Sequence, residues 1–131
     1  MYKQNIYDDC YGLIINTMKI SIDDQLMHLS NNFKKMGINT LSFTENVTKK
    51  VFLDAFDQLD LQQDKISKEK KNFLFLVINS FADDNGNLVT SDFSENGSVD
   101  IEFIQKKLKE LNFMHVLLIF SGNNADFKDN R

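Results

Sequence analysis

The 131-residue sequence is poor in the residue types from which many active sites are built. It contains one cysteine (Cys10), two histidines (His28 and His115), one arginine (Arg131) and no proline. A single cysteine cannot form an internal disulfide, which favours a reducing, cytoplasmic location. Catalytic nucleophiles with their bases, and zinc sites, draw mainly on cysteine and histidine. The chain therefore has few ways to build either kind of site.

Long apolar runs and an excess of basic residues are also missing. No run approaches the roughly 20 apolar residues of a membrane helix, and the N-terminal residues do not resemble a signal peptide. The formal net charge is −4, which gives nucleic acid no electrostatic basis for binding. We therefore expect neither a membrane nor a nucleic-acid partner. Hydrophobic residues make up 42% of the chain, as in globular proteins. The length predicts a single domain, with a core at about 7–124 and a polar tail at 125–131.

Short apolar runs alternate with helical patterns along the chain. Apolar runs predict strands at 11–16, 38–43, 73–78 and 116–120. Apolar residues at helical spacing predict helices at 22–36, 51–59 and 101–111. Thr48 and Asp100 are placed to cap the second and third helices, and Gly37 to end the first. Turn residues at 83–87 and 95–97 predict a small hairpin, and the polar stretch 62–71 predicts a solvated loop or a frayed helix end.

This order of elements predicts an α/β fold. A mostly parallel central sheet would be covered by helices on both faces, as a three-layer α/β/α sandwich. Active loops in such sheets follow the C-terminal ends of the strands, here 16–21, 79–84 and 121–124. These segments contain no histidine or cysteine, and their acidic residues Asp83 and Asp84 lie in a turn without a partner base.

Six segments between residues 2 and 124 have the order and spacing of motifs found in one protein family. They are 11–16 (YGLIIN, after Tyr2 and Lys3), 33–38 (FKKMGI), 45–48 (ENVT), 77–82 (VINSFA), 98–101 (SVDI, followed by Ile104) and 117–124 (LLIFSGNN). They resemble motifs of the caspase large subunit, including the apolar-LSHG and QACRG motifs of these cysteine proteases, which cleave after aspartate. The resemblance implies a caspase-like fold, restricted to the large-subunit portion.

The departures from this family lie at its catalytic positions. Phe81 stands where the family has its catalytic histidine, Gly122 where it has its nucleophilic cysteine, and Asn123 where it has the following arginine. A cysteine protease needs a thiolate and a base within hydrogen-bond reach. Recognition of aspartate in that family relies on arginine forks, and the one arginine here is Arg131. The resemblance therefore implies a catalytically degenerate pseudocaspase, not an enzyme, with no cofactor and no metal.

Other candidate sites in the sequence are weaker. Cys10 precedes the first predicted strand and has no base placed beside it, so we interpret it as an ordinary thiol. A residual hydrolase that uses Cys10 or Ser121 stays open as a third hypothesis. His28 lies in the first predicted helix and His115 opens the last predicted strand. No cysteine or histidine clusters with either, so neither predicts a metal site.

Residues 92–103 partly match a calcium-binding loop. Oxygen-bearing side chains occupy positions one, three, five and nine of this segment, with glycine at position six. Position twelve is Phe103 instead of the bidentate glutamate, and Glu102 comes one residue early. The preceding segment resembles a strand and a turn instead of the entering helix of an EF-hand. We therefore expect no calcium site here.

The expected function follows from a retained core and an altered catalytic site. In the resembling family a small subunit packs beside the large one, so the last predicted strand would be an apolar edge open to a partner. Its residues are Val116, Leu117, Leu118, Ile119 and Phe120. We expect a non-catalytic caspase homologue that regulates an active caspase, and thereby apoptotic or inflammatory signalling, as a decoy or an allosteric activator. The partner would be an active caspase or a small-subunit-like chain, in a homodimer or heterodimer. The alternative is a structural or adaptor module with non-caspase partners.

Overall fold

The computed structural model describes residues 9–18, 23–63, 72–92, 98–111 and 113–121. The four strands of the sheet and the three helices within these ranges follow the order that the sequence predicts. They are β1 (Asp9–Asn16), α1 (Asp23–Lys35), β2 (Asn39–Phe43), α2 (Lys49–Gln63), β3 (Asn72–Asn79), β4 (Phe81–Ala82), β5 (Leu88–Val89), α3 (Ile101–Glu110) and β6 (His115–Ser121). The predicted turn at 95–97, most of the predicted loop at 62–71, and the predicted tail lie outside the described residues.

Four of the strands form one parallel sheet in the order β2-β1-β3-β6. Its register aligns Asn16 with Asn79 and Asn79 with Ser121, so the C-terminal ends of β1, β3 and β6 lie in one row. Strands β4 and β5 form a separate antiparallel pair. The predicted α/β fold with a parallel central sheet is confirmed.

Helices pack on both faces of this sheet. The larger cluster of buried side chains joins α2 and α3 to one face, and Phe52, Phe56 and Ile104 are fully buried in it. The smaller cluster joins α1 to the other face through Phe33, beside Ile14 of β1. Successive strand residues point to opposite faces, and both faces are covered over β1. This explains why the strand is apolar at every position instead of every second one.

The predicted helix ends are confirmed by their hydrogen bonds. Gly37 has a φ of 82°, and the Gly37 and Ile38 N–H groups donate to the Lys34 and Phe33 carbonyls, which is a Schellman ending for α1. The Thr48 hydroxyl accepts from the Val51 N–H at the start of α2. The Asp100 carboxylate accepts from the Glu102 N–H at the start of α3.

One prediction near the N-terminus was wrong. Cys10 lies inside β1 and not before it, because the parallel pairing with β3 extends back to Asp9 and Asn72. Strand pairing lengthens β1 by two residues beyond the apolar run that indicates it in the sequence. None of the helices in the described ranges is long and apolar enough to cross a membrane.

Candidate functional site

The strand ends that the sequence places at one edge of the sheet lie together in the structure. Beyond the paired row, the Thr17 N–H donates to the Asn79 carbonyl and the Ser80 N–H donates to the Ser121 carbonyl, both at 2.9 Å. Ser80 is followed directly by Phe81, the first residue of β4. The segments that resemble the two catalytic motifs of the caspases are therefore adjacent. Gly122 and Asn123 lie outside the described residues, so the roles expected at those positions stay predictions.

Two asparagines link β1 to β3 at this edge. The Asn79 Nδ2 donates to the Asn16 Oδ1 at 2.8 Å and contacts the Met18 sulfur at 3.2 Å. The Asn16 Oδ1 also accepts from the Met18 N–H at 3.2 Å. Both asparagines are buried, so the pairing satisfies groups that would be costly to leave without partners. The sequence signal was an asparagine at the end of each apolar run, but it does not reveal that the two amides bind each other.

A second polar contact lies beside the asparagine pair. The Thr17 hydroxyl donates to the Ser80 Oγ at 2.7 Å, and the Ser80 hydroxyl faces the Phe81 carbonyl at 2.9 Å and the Val89 carbonyl at 3.3 Å. A serine nucleophile is activated by a base that takes its proton, and a carbonyl oxygen accepts a hydrogen bond without doing so. The buried Ser80 hydroxyl is therefore held in a structural role. The side chain of Ser121 is exposed at the end of β6.

The remaining candidate nucleophile and histidines lie away from this edge. Cys10 and His115 are both in register with Phe73, at the N-terminal end of the sheet. With β3 between them, their backbones are about 10 Å apart, which is two strand spacings and too far for a nucleophile and its base. Burial, together with the charge of Asp9, raises the pKa of the Cys10 thiol and so reduces its thiolate fraction at neutral pH. His28 is exposed on α1.

The ends of the calcium-like segment 92–103 cap helices. The Asp92 Oδ1 accepts from the Lys49 N–H at the start of α2 and from the Thr90 hydroxyl, both at 2.8 Å. Asp100 caps α3, and the Phe103 ring packs edge-on against Phe56, 6.3 Å between centroids. Residues 93–97 lie outside the described ranges. Among the residues that the structure does describe, no three histidine, cysteine or acidic side chains are grouped to hold a metal.

Asp83 organises the predicted turn between β4 and β5. Its Oδ1 accepts from the Asn85 and Asn87 N–H groups at 2.9 Å, and its Oδ2 accepts from the Ser98 hydroxyl at 3.0 Å. Burial alone would raise the pKa of the Asp83 carboxyl, but the hydrogen bonds from Asn87, Ser98, Asn85 and Gly86 outweigh it and lower the pKa. This carboxylate therefore stabilises a loop.

The strand predicted to face a partner lies at the rim of the sheet. One side of β6 pairs with β3, and no strand of the described chain lies beyond its other side. We call the segment 116–120, with the backbone groups on that outer side, the β6 edge. Three of its apolar side chains remain well exposed: Leu117 at 45%, Ile119 at 43% and Phe120 at 46%.

The exposure of the β6 edge has a simple cause in the packing. Helix α1 packs over β1 and the inner part of β3, through contacts with Ile14 and Val77. Leu117 and Ile119 lie on the same face as Val77, one strand further out, beyond the reach of that helix.

No model of a protein family matches the chain, and no curated protein is significantly similar to it.

Proposed function

We propose that this chain is a non-catalytic caspase homologue that regulates an active caspase by binding it through the β6 edge. The observation that supports this most directly is the β6 edge itself. Its backbone presents a row of hydrogen-bonding groups, flanked by three exposed apolar side chains. An extended segment of a partner can add to such an edge as a further strand, with its side chains on the apolar ones.

The architecture supports the caspase-like part of the proposal. The motif-like segment 77–82 falls at the end of β3, and 117–121 falls on β6, its neighbour in the sheet. Asp100, within the third-helix motif, caps a helix. The segments that resemble caspase motifs therefore lie on strands and a helix that would correspond to those of a caspase-like sheet.

The non-catalytic part of the proposal rests on the side chains at the strand ends. Phe81 stands in place of a histidine and cannot accept a proton. The neighbouring Ser80 hydroxyl is buried and held by carbonyl oxygens. Cys10 lies at the opposite end of the sheet. We therefore propose that regulation proceeds through binding, as a decoy that occupies the partner or as an activator that stabilises its active form.

The test is to mix the purified chain with an active caspase and to follow two quantities. Size-exclusion chromatography with light scattering measures complex formation, while cleavage of an aspartyl peptide measures activity. We expect a complex together with a changed cleavage rate, lower for a decoy and higher for an activator. Ile119→Lys should abolish both effects, whereas Leu61→Lys should preserve them, because Leu61 is 59% exposed on α2, away from the β6 edge. Unchanged mass and unchanged cleavage would refute the proposal.

The β6 edge also supports a second candidate function. Backbone donors and acceptors at a strand edge can bind an extended segment of many proteins. These backbone groups are not specific to proteases. A scaffold or adaptor that binds non-caspase proteins would use the same residues. Affinity capture from a lysate separates the two functions: co-purified caspases favour regulation, and partners without any protease favour the adaptor.

A further inference from the structure

We propose that two copies of this chain pair through their β6 edges. The two β6 strands would run antiparallel about a two-fold axis at Leu118 and join two four-stranded sheets into one sheet of eight strands. This inference does not rest on the proposed regulation of a caspase. It rests on the composition of β6, on the symmetry of its side chains and on the charge of the molecule.

The two rims of the sheet differ in how they are protected. Strand β2, at one rim, has five residues, of which Asn39, Thr40 and Ser42 are polar. Strand β6, at the other rim, has seven residues and carries no proline and no acidic residue, lysine or arginine. Natural edge strands are usually blunted by short length, charge, proline or a bulge. The β6 edge has none of the first three devices, which indicates that it is covered by another strand.

In an antiparallel pair centred on Leu118, each apolar side chain of one β6 strand would lie opposite an apolar side chain of the other. Leu117 would lie opposite Ile119 of the second copy, and Val116 opposite Phe120. Directly opposed residues of an antiparallel pair share one face, with Cβ atoms about 5 Å apart. The exposed Leu117 and Ile119 of both copies would therefore form one four-residue apolar cluster. A two-fold interface of this kind is self-complementary, as most homodimer interfaces are.

Two segments outside the described ranges, 64–71 and 122–131, are poor alternatives for this position. Six of the eight residues in 64–71 are charged, and the ten residues of 122–131 include only two apolar ones, Ala125 and Phe127. Neither can oppose Leu117, Ile119 and Phe120 with a matching apolar set. A second copy supplies that set by symmetry.

Electrostatics limits where two copies can meet. Each copy carries a net charge of −4, so two copies repel each other over most approaches. Residues 116–120 contain no charged side chain, and the opposed pairs would place no like charges together. The β6 edge is therefore a neutral strip through which two acidic molecules can meet.

The first test is the mass of the chain in solution, alone and without any protease. Light scattering over micromolar to millimolar concentrations should give twice 15.2 kDa. Ile119→Lys should raise the dimer dissociation constant at least about tenfold, because it places a charge in the apolar cluster. Leu61→Lys makes the same chemical change at an exposed site away from β6 and should leave the dimer intact. Circular dichroism verifies that both variants are folded.

A second test addresses the antiparallel register. One variant carries Leu117→Lys with Ile119→Lys, and another carries Leu117→Glu with Ile119→Glu. Each alone should be monomeric, whereas an equimolar mixture should form a heterodimer, because every opposed 117–119 pair then joins opposite charges.

Two results would overturn the proposed dimer. One is a wild-type chain that stays monomeric at millimolar concentration. The other is a dimer that survives Ile119→Lys unchanged. Both experiments omit the caspase, so their failure leaves the proposed regulation standing. A confirmed dimer that neither binds nor affects a caspase would count only against that regulation.

Discussion

Gly12 of β1 lies close to the Phe33 side chain of α1. A Cβ atom built on Gly12 would be 2.9 Å from the Phe33 Cδ2 and 3.3 Å from the Ile38 Cγ2. The Phe33 ring is buried and packs against Phe75, with 5.4 Å between ring centroids, so it has little room to retreat. Because residue 12 has no side chain, the Phe33 ring of α1 can pack directly on this face of the sheet.

Adding a side chain at Gly12 should therefore destabilise the protein. Gly12→Ala gains about 0.4–1 kcal/mol by restricting the unfolded chain, but overpacking costs about 1–3 kcal/mol. We expect a net loss of about 1 kcal/mol, and a larger one for Gly12→Val, in denaturant unfolding. A Phe33→Leu background, which removes the crowding ring, should reduce the additional cost of Gly12→Ala. A variant more stable than wild type would show that α1 can shift outward.

The buried pair Asn16 and Asn79 gives a prediction with an unusual pH dependence. Asn79→Asp keeps the shape of the side chain but replaces a donor with a carboxylate that faces the Asn16 Oδ1. We expect a loss of about 2–3 kcal/mol at neutral pH, since a buried charged group loses its partner. Burial raises the pKa of the introduced carboxyl, and protonation restores a donor, so the deficit should shrink as the pH falls. A deficit that is constant between pH 7 and pH 4 would contradict this account.

At the scale of single elements, the hairpin of β4 and β5 depends on the Asp83 carboxylate. Its pKa is lowered in the folded state, so its contribution is complete above the unfolded-state value and is lost as the pH falls through the lower folded-state value. Asp83→Ala should therefore cost about 1–3 kcal/mol at pH 7, and the difference from wild type should narrow below about pH 4. The exposed neighbour Asp84 provides the control, because Asp84→Ala should change stability much less at either pH. Urea unfolding at several pH values measures both.

Two glycines with the same backbone conformation lie at the end of α1 (Gly37) and in the turn between β4 and β5 (Gly86). Gly37 and Gly86 both have a φ of 82°, and a Cβ at either would meet no atom within 4 Å. Backbone strain alone should therefore set the cost of Gly37→Ala and Gly86→Ala, about 1–2 kcal/mol each. Gly37→Asn should cost less, because asparagine adopts this conformation more readily. Thermal unfolding of the three variants tests this, and a Gly37→Ala variant as stable as wild type would argue against a strained helix end.

Features set by local chemistry were the ones that the sequence predicted well. Gly37, Thr48 and Asp100 mark helix ends because each acts within about one turn of its own position. The contact between Asn16 and Asn79 joins residues 63 positions apart, and no local pattern reports it. The placement of Cys10 inside β1 also depended on a distant strand, β3. The sequence located the edge of the candidate site, but not the hydrogen bonds within it.

At the scale of the whole molecule, the two faces of the sheet are unequally covered. Helices α2 and α3 cover one face of the sheet. Within the described ranges, α1 is the helix that covers the other face. At the β6 rim, exposed apolar side chains lie on both faces: Leu117 and Ile119 on the face of α1, and Phe120 on the face of α2 and α3. Both the proposed partner and the proposed second copy would use this rim, so the two complexes should compete.

The competition predicts a concentration effect. If self-pairing and caspase binding use the same β6 edge, raising the concentration of this chain should weaken its apparent affinity for the caspase. Titrations at several fixed concentrations of the chain, followed by light scattering, measure this dependence. An affinity independent of concentration, for a chain shown to dimerise, would assign the two partners to different surfaces.

The strand order also has a consequence for how the chain is made. Of the six described strands, β1 is synthesised first, yet it lies in the middle of the sheet, and the residues of β3 that pair with it are 63 positions further along the chain. Pairings between strands so distant in sequence form slowly, because the entropy cost of closing a long loop precedes any stabilising contact between the strands. During translation, β1 has emerged from the ribosome well before β3 exists, with apolar side chains on both of its faces. At an elongation rate of about 5–20 residues per second, that interval lasts several seconds. A chaperone that shields β1 during this interval should therefore raise the yield of folded protein.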